Sequence, residues 1–175
     1  QNREIEDELL SIEPTIFDHF EEKRHEGEND SYICSLIRQD SLKEFSIYVN
    51  STNIPLDSKV KSSLFETNAF LIENEPTLIE YSAFFGSIKI FNYLRKKEVE
   101  LKTSLMIYAI HSRKAAFIHL LESCDIQMSS SIYAECIEEA IKCHHNEFVD
   151  YFENCYLVKK EKCIPKMLQY YNYIH

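Results

Sequence analysis

One pattern of apolar positions occurs four times in this chain of 175 residues. The copies align on Ser35, Tyr81, Tyr108 and Glu139, which are 46, 27 and 31 residues apart. In each copy, apolar or small residues recur at offsets i, i+3 and i+4, as they do on one face of a helix. These columns are Ile33, Ile79, Met106 and Ile137, then Leu36, Ser82, Ala109 and Ala140, then Ile37, Ala83, Ile110 and Ile141.

A second apolar stripe follows each first one after a short polar stretch. Its columns are Phe45, Phe91, Ile118 and Val149, then Tyr48, Leu94, Leu121 and Phe152. One pair of such helices cannot bury both of its faces, so neighbouring pairs must stack to form a core. A composition of 45% hydrophobic residues with only 2 Gly also favours an ordered, helix-rich domain. The sequence therefore predicts an all-α solenoid of irregular helix-turn-helix repeats.

The best-formed copy runs from Thr77 to Leu94 and reads TLIEYSAFFGSIKIFNYL. It resembles the inner helix, turn and outer helix of an ankyrin repeat, and Thr77, Ala83, Gly86 and Leu94 match the pattern of that family. The step of 27 residues is shorter than the usual repeat of about 33, which predicts β-hairpin fingers that are shortened or missing.

The turn column of the four copies contains Asp40, Gly86, Arg113 and His144. An ankyrin turn usually uses glycine to reach a positive φ, which other residues adopt only at a steric cost. Three copies are therefore expected either to bear that cost or to turn in a different way.

A wider resemblance covers about residues 29 to 155 and is carried by SLFETNAFL, LIEYSAFFGSIKIFNYL, YAIHSRK and EEAIKCHHNEF. These stretches are similar to a divergent ankyrin-like family of unknown function that is expanded in protozoan parasites. The resemblance implies an ankyrin-like fold and brings no assigned activity.

We predict a single helical array over residues 1–175. Its predicted parts are N-terminal capping helices at 1–28, repeats at 30–50, 77–101, 104–128 and 132–157, and a C-terminal cap or partial repeat at 158–175. The wide step at 51–76 is interpreted as an inserted or degenerate repeat of one or two helices, or as an enlarged finger loop.

A formal net charge of −10 limits the classes of partner. Because this charge repels nucleic acid and anionic membrane surfaces, we predict that neither is a partner. Two short basic clusters follow outer helices, where cations complement the helix dipole: Arg95 to Lys97, and Lys159, Lys160 and Lys162. The 6 cysteines lack a CxxC spacing, which favours reduced thiols and a cytoplasmic location.

The sequence carries few signs of catalysis. It has no phosphate-binding glycine loop, no nucleophile elbow and no HExxH motif. Cys143, His144 and His145 are metal-binding residue types, but consecutive helical positions point in different directions. No spacing brings a cysteine together with His111 or His119 as a catalytic pair. We therefore predict no catalytic residues, no metal and no cofactor.

The ankyrin resemblance implies a recognition surface made by the two residues before each turn position. Carried over by alignment, the predicted partner-binding residues are Arg38, Gln39, Phe84, Phe85, His111, Ser112, Lys142 and Cys143. Phe84 and Phe85 are the predicted anchors, since aromatic side chains dominate many protein interfaces.

The predicted function is a non-catalytic interaction or scaffolding module that binds a protein partner on its concave face. Two alternatives remain open at this point. One is a metal-dependent or Cys/His enzyme domain, and the other is a self-associating structural spacer within a larger protein.

Overall fold

The computed structural model describes residues 19–124, 126–156 and 164–172. Within these ranges the protein forms helices without a β-strand, and Lys59 and Thr77 form an isolated antiparallel bridge. The helices are α1 (Phe20–Glu26), α2 (Tyr32–Arg38), α3 (Leu42–Thr52), α4 (Ala69–Asn74), α5 (Leu78–Phe85), α6 (Ile88–Lys96), α7 (Leu105–His111), α8 (Ala115–Glu122), α9 (Ser130–Lys142), α10 (Asn146–Tyr156) and α11 (Ile164–Gln169). The all-α prediction is confirmed for these residues.

Each of the four predicted copies contains two helices joined by a tight turn. The first helix of each copy, here called the inner helix, is α2, α5, α7 or α9, and the outer helix is α3, α6, α8 or α10. The inner helices contact one another in chain order, and each also packs on its own outer helix. The columns predicted from periodicity supply most of the core, although Ile33 and Tyr48 are only partly buried.

All four turns contain a left-handed residue at the same position. Asp40, Gly86, Arg113 and His144 have φ values of 50, 63, 56 and 57°. The N–H of each turn residue donates to the carbonyl three residues earlier. In the first, second and fourth turns, the next N–H donates to the carbonyl five residues earlier, which completes a Schellman motif. Three copies therefore adopt the glycine-type turn with side chains that make it costly.

The third turn replaces the longer backbone bond with a side chain. The N–H of Lys114 donates to Ser112 Oγ at 3.2 Å, and that hydroxyl donates to the carbonyl of Ala109 at 2.7 Å. The serine hydroxyl thus bridges the N–H of Lys114 and the carbonyl of Ala109, whose equivalents in the other turns form a direct hydrogen bond.

In the second, third and fourth copies, the residue after the turn makes a side-chain contact with the preceding helix pair. Ser87 Oγ donates to the carbonyl of Ile37, and His145 Nδ1 lies 3.0 Å from the carbonyl of Ile110. Both carbonyls lie three residues before the preceding turn residue, so the two links are equivalent. Lys114 instead reaches the preceding turn itself, with Nζ 2.8 Å from the carbonyl of the turn glycine.

The segment at α11 repeats the inner helix and turn once more. Tyr171 lies 27 residues after His144 and has a φ of 56°. The N–H of Asn172 donates to the carbonyl of Met167, and its side-chain Nδ2 donates to the carbonyl of Ile141 at 3.2 Å. Since α11 also contacts α9, its described part has the geometry of a fifth inner helix and turn.

Between the end of α3 at Thr52 and Pro76, the insertion contains one short helix, α4. The N–H of Val60 donates to the carbonyl of Pro76 at 2.7 Å, so the end of the insertion folds back along its own earlier part. Phe65 and Leu71 are buried, and Phe70 packs against the core. The insertion is therefore an ordered part of the fold.

The N-terminal cap predicted at 1–28 is described only from residue 19 onward, where α1 lies. The rings of Phe20 and Phe65 are 5.5 Å apart, and the carbonyl of Gly27 accepts hydrogen bonds from the backbone and side chain of Thr67. The described part of this region thus packs on the insertion. The basic cluster at Lys159, Lys160 and Lys162 lies outside the described residues.

Candidate functional site

An open groove of about 540 Å³ crosses the inner helices and the insertion. Three inner helices and α4 surround it, and its lining residues are Phe70, Glu73, Asn74, Glu80, Ser104, Ile107, Tyr108, Glu135, Glu138, Glu139 and Lys142. Helix α9 contributes four of these residues at offsets i, i+3, i+4 and i+7, which place them on one stripe of the helix. The groove is therefore formed by the repeated helices together with the insertion.

The groove is strongly acidic. Five of its lining side chains are glutamates, and Lys142 is its only cation among the described lining residues. Glu80 accepts a hydrogen bond from Ser104 Oγ at 2.7 Å, and Glu138 lies 2.8 Å from Lys166 Nζ. Glu73 and Glu135 are exposed to solvent. The groove thus presents negative charge to whatever enters it.

The predicted contact residue Arg38 makes internal contacts. Its Nε lies 2.6 Å from Glu28 Oε2, and its Nη1 donates to the hydroxyl of Tyr81 at 2.9 Å. Only 15% of its side chain is exposed. Arg38 therefore ties the segment before α2 to the second inner helix, whereas its neighbour Gln39 is exposed.

The two predicted aromatic anchors differ in exposure. Phe84 is 9% exposed, and its ring packs against Phe70, Phe85 and His111. Its ring consequently supports the groove wall, in contrast to the exposed anchor expected from the sequence. Phe85 is half-buried and packs on Tyr81 with ring centroids 4.8 Å apart.

The remaining predicted residues come from the last two copies. Ser112 is engaged within the third turn, and Lys142 lines the groove. His111 and Cys143 lie beside each other, with Nδ1 and Sγ 3.6 Å apart, and both contact Glu139, which lines the groove. The structure thus brings His111, Lys142 and Cys143 together.

Glu139 joins His111 and Cys143 in a compact cluster. His111 Nε2 lies 3.2 Å from Glu139 Oε1, and Cys143 Sγ lies 3.9 Å from the same oxygen. The other carboxylate oxygen, Oε2, accepts from Lys142 Nζ at 3.1 Å. Among the described residues, His111 Nε2 is enclosed and has no partner at hydrogen-bonding geometry, despite its short contact with the carboxylate.

The cluster shifts the pKa values of three of its groups. Burial raises the pKa of Glu139, but the contacts with His111 and Lys142 outweigh it and leave that pKa below its usual value. Burial also lowers the pKa of Lys142, but the hydrogen bond with Glu139 and the charges of Glu139, Tyr170 and Glu138 together outweigh it, so that pKa is raised. Burial and the charge of Glu139 raise the pKa of Cys143 to about 12. The Cys143 thiol is thus protonated at neutral pH and a weak nucleophile.

The cysteine and histidine side chains around the fourth turn lie in different environments. His144 is exposed in the left-handed turn position, and Cys136 is fully buried within α9. His145 is buried and faces the carbonyl of Ile110, a structural role that the sequence analysis missed. His119 lies on α8 with 61% of its side chain exposed.

Two sequence signals could have indicated the groove. Thr77 and Glu80 form a capping box at the start of α5, which fixes the orientation of the Glu80 carboxylate. Thr77, Ser104 and Glu135 occupy one column of the alignment, and all three are polar. In this column Ser104 and Glu135 line the groove, whereas Thr77 is outside its lining.

Comparisons of the chain with protein-family models, with curated proteins and with solved structures find no match. In the part of the chain that the structure describes, no helix has both the length and the apolar character needed to cross a membrane.

Proposed function

We propose that this chain is a non-catalytic, ankyrin-like interaction module that binds a basic segment of a protein partner in the acidic groove. The contact of successive inner helices in chain order supports the stacked architecture, because a solenoid joins each repeat to its neighbours. The common left-handed turns support an ankyrin-like unit, since that position is the one at which the family uses glycine.

The observation that carries the binding proposal is the groove itself. Four separate helices contribute its walls, and five glutamates make it complementary to lysine and arginine side chains. Each inner helix is held to its neighbours by packing and by the links after the turns. The wall residues are thus positioned before a partner arrives, which lowers the entropic cost of binding.

The test uses a photo-reactive amino acid in place of Ile107, inside the groove, to identify the partner by cross-linking. The same group in place of Ile47, an exposed residue on outer helix α3, serves as the control site. The affinity for the identified partner is then measured with purified proteins.

The double variant Glu73→Lys with Glu135→Lys should weaken that affinity by about tenfold or more, since close charge pairs contribute 1.5 kcal/mol or more in favourable cases. The matched control is Glu44→Lys with Glu147→Lys, which makes the same charge change at exposed positions on the outer helices α3 and α10. Equal affinities for the two double variants would reject the groove as the binding surface.

A further inference from the structure

We propose that His111, Glu139 and Cys143 form a three-ligand binding site for a thiophilic divalent cation of the zinc class. One candidate ligand atom from each residue can be chosen so that all three lie within 4.8 Å of one another. No other group of three or more His, Cys, Asp or Glu side chains in the described parts of the chain meets this condition. The proposal is independent of partner binding.

The helical positions explain why these side chains converge. Glu139 and Cys143 are four residues apart at the end of α9, so they lie on the same face of the helix. His111 ends the neighbouring inner helix α7, which packs directly on α9. The site therefore requires the third and fourth copies to stack, and a search for ligands close in sequence misses it.

The distances are close to those of a tetrahedral zinc site. Bonds of about 2.0–2.3 Å to nitrogen, oxygen and sulfur place neighbouring ligand atoms about 3.3–3.8 Å apart. The nitrogen–oxygen separation here is 3.2 Å and the oxygen–sulfur separation is 3.9 Å. The thiol sulfur lies 3.6 Å from Nδ1, whereas the carboxylate oxygen contacts Nε2, so the two ring nitrogens face different ligands. Rotation of the His111 ring would direct one nitrogen toward the point that the carboxylate and thiol share.

The surroundings of the cluster also suit a cation. Lys142 holds Glu139 Oε2, so Oε1 is directed at the histidine and cysteine, an orienting role typical of groups around metal ligands. His111 Nε2 is enclosed without a hydrogen-bond partner among the described residues, so a metal–nitrogen bond would satisfy it. The rings of Phe70 and Phe84 pack against the His111 ring.

Binding would release the thiol proton of Cys143 to solvent and form a metal–thiolate bond, and no oxidant or reductant is required. The thiolate and the Glu139 carboxylate together balance the two positive charges of the ion. The three residues leave the fourth position of a tetrahedron to water or to a side chain of a partner. The bound ion would cross-link α7 and α9 beside the groove.

The test is a titration of the reduced, chelator-treated chain with cobalt(II), a coloured substitute for zinc. We expect one ion per chain and the charge-transfer absorption of a cobalt–thiolate bond. Cys143→Ser should abolish that absorption, and His111→Gln and Glu139→Gln should each weaken binding by about tenfold or more. The control variants Cys124→Ser and His119→Gln, which change the same residue types outside the cluster, should bind within about twofold of the unchanged chain.

Absence of cobalt binding would overturn the proposal, and so would thiolate absorption that persists in Cys143→Ser. X-ray absorption of zinc bound to the unchanged chain gives an independent result that needs no substitution. One sulfur at about 2.3 Å with nitrogen or oxygen at about 2.0–2.2 Å is expected. A coordination shell with no sulfur, or with several, would contradict the assignment.

Discussion

Three different side chains make the same link between successive helix pairs. A hydroxyl at Ser87, an imidazole at His145 and an amide at Asn172 each contact the carbonyl that lies three residues before the preceding turn residue. Of the three, only the imidazole titrates between about pH 5 and pH 8. The link made by His145 is therefore the one through which pH can act.

We predict that the free energy of unfolding falls as the pH drops below about 6.5, and that His145 contributes to the fall. Burial lowers the pKa of His145, and the nearby Arg113 acts in the same direction, while Glu147 and the bond to the Ile110 carbonyl oppose it. The unfolded chain consequently binds a proton at a pH where folded His145 does not, so stability is lost as pH falls through that range.

His145→Asn should reduce this pH dependence and preserve the link, because asparagine makes the equivalent contact at position 172. Urea unfolding at about pH 7.5 and about pH 5.5 measures the effect. The control is His119→Asn, which changes an exposed histidine. This variant should show the same pH dependence of stability as the unchanged chain. An equal loss of stability on acidification in the unchanged chain and in His145→Asn would contradict the prediction.

At the scale of the element, the turns that end the inner helices share one backbone conformation although their residues differ. Asp40 compensates for its left-handed conformation with its carboxylate, which accepts from the N–H groups of Lys89 and Ile90 at 3.1 and 3.0 Å. These groups begin α6, so the first turn caps the outer helix of the second pair. Arg113, by contrast, is exposed, and its side chain carries only donors, so it cannot cap N–H groups in this way.

Exchanging glycine and non-glycine at two turns should have opposite effects on stability. Gly86→Ala should cost about 1–2 kcal/mol, since an L-residue is strained at a φ of 63°. Its added Cβ would also lie 2.6 Å from Cδ of Lys114, which must move and weaken its link. Arg113→Gly removes the same strain and should gain up to about 1 kcal/mol. Chemical denaturation of both variants measures these differences, and a loss of stability in Arg113→Gly would contradict the strain argument.

The helices could be predicted well because the periodic spacing of apolar residues such as Phe91 and Leu121 is visible directly in the sequence. The conformation of the turns could not be predicted from the sequence, because Asp, Arg and His rarely adopt a positive φ. The backbone hydrogen bonds that hold these residues in that conformation do not depend on residue type. The His111 and Glu139 contact was also beyond the sequence, because it depends on how α7 and α9 pack.

At the scale of the whole molecule, stability depends on the contacts that each pair makes with the next. Phe91 on α6 and Phe117 on α8 are both fully buried, with ring centroids 4.9 Å apart in an edge-to-face arrangement. Phe45 and Tyr93 make a similar contact across the preceding step, at 6.0 Å. Aromatic contacts therefore continue from the first pair to the third.

We predict that Phe91→Leu and Phe117→Leu each destabilise the chain by on the order of 1 kcal/mol, and that the two effects are not additive. The edge-to-face contact is lost in either single variant, so the double variant should cost less than the sum by about 0.5–1.5 kcal/mol. A double-mutant cycle by urea unfolding measures this coupling. Simple additivity would show that the two outer helices stabilise the molecule independently.

The links after the turns also bear on how such a chain can grow. The links of Ser87, His145 and Asn172 each need one polar side chain after a turn and one carbonyl in the previous inner helix, whereas Lys114 binds the preceding turn. The first of them spans the 46-residue step. A duplicated gene segment that encodes one helix pair would carry both the donor and the acceptor for its neighbours. At junctions of this form, a helix pair could thus be gained or lost by recombination without a new matching of residues.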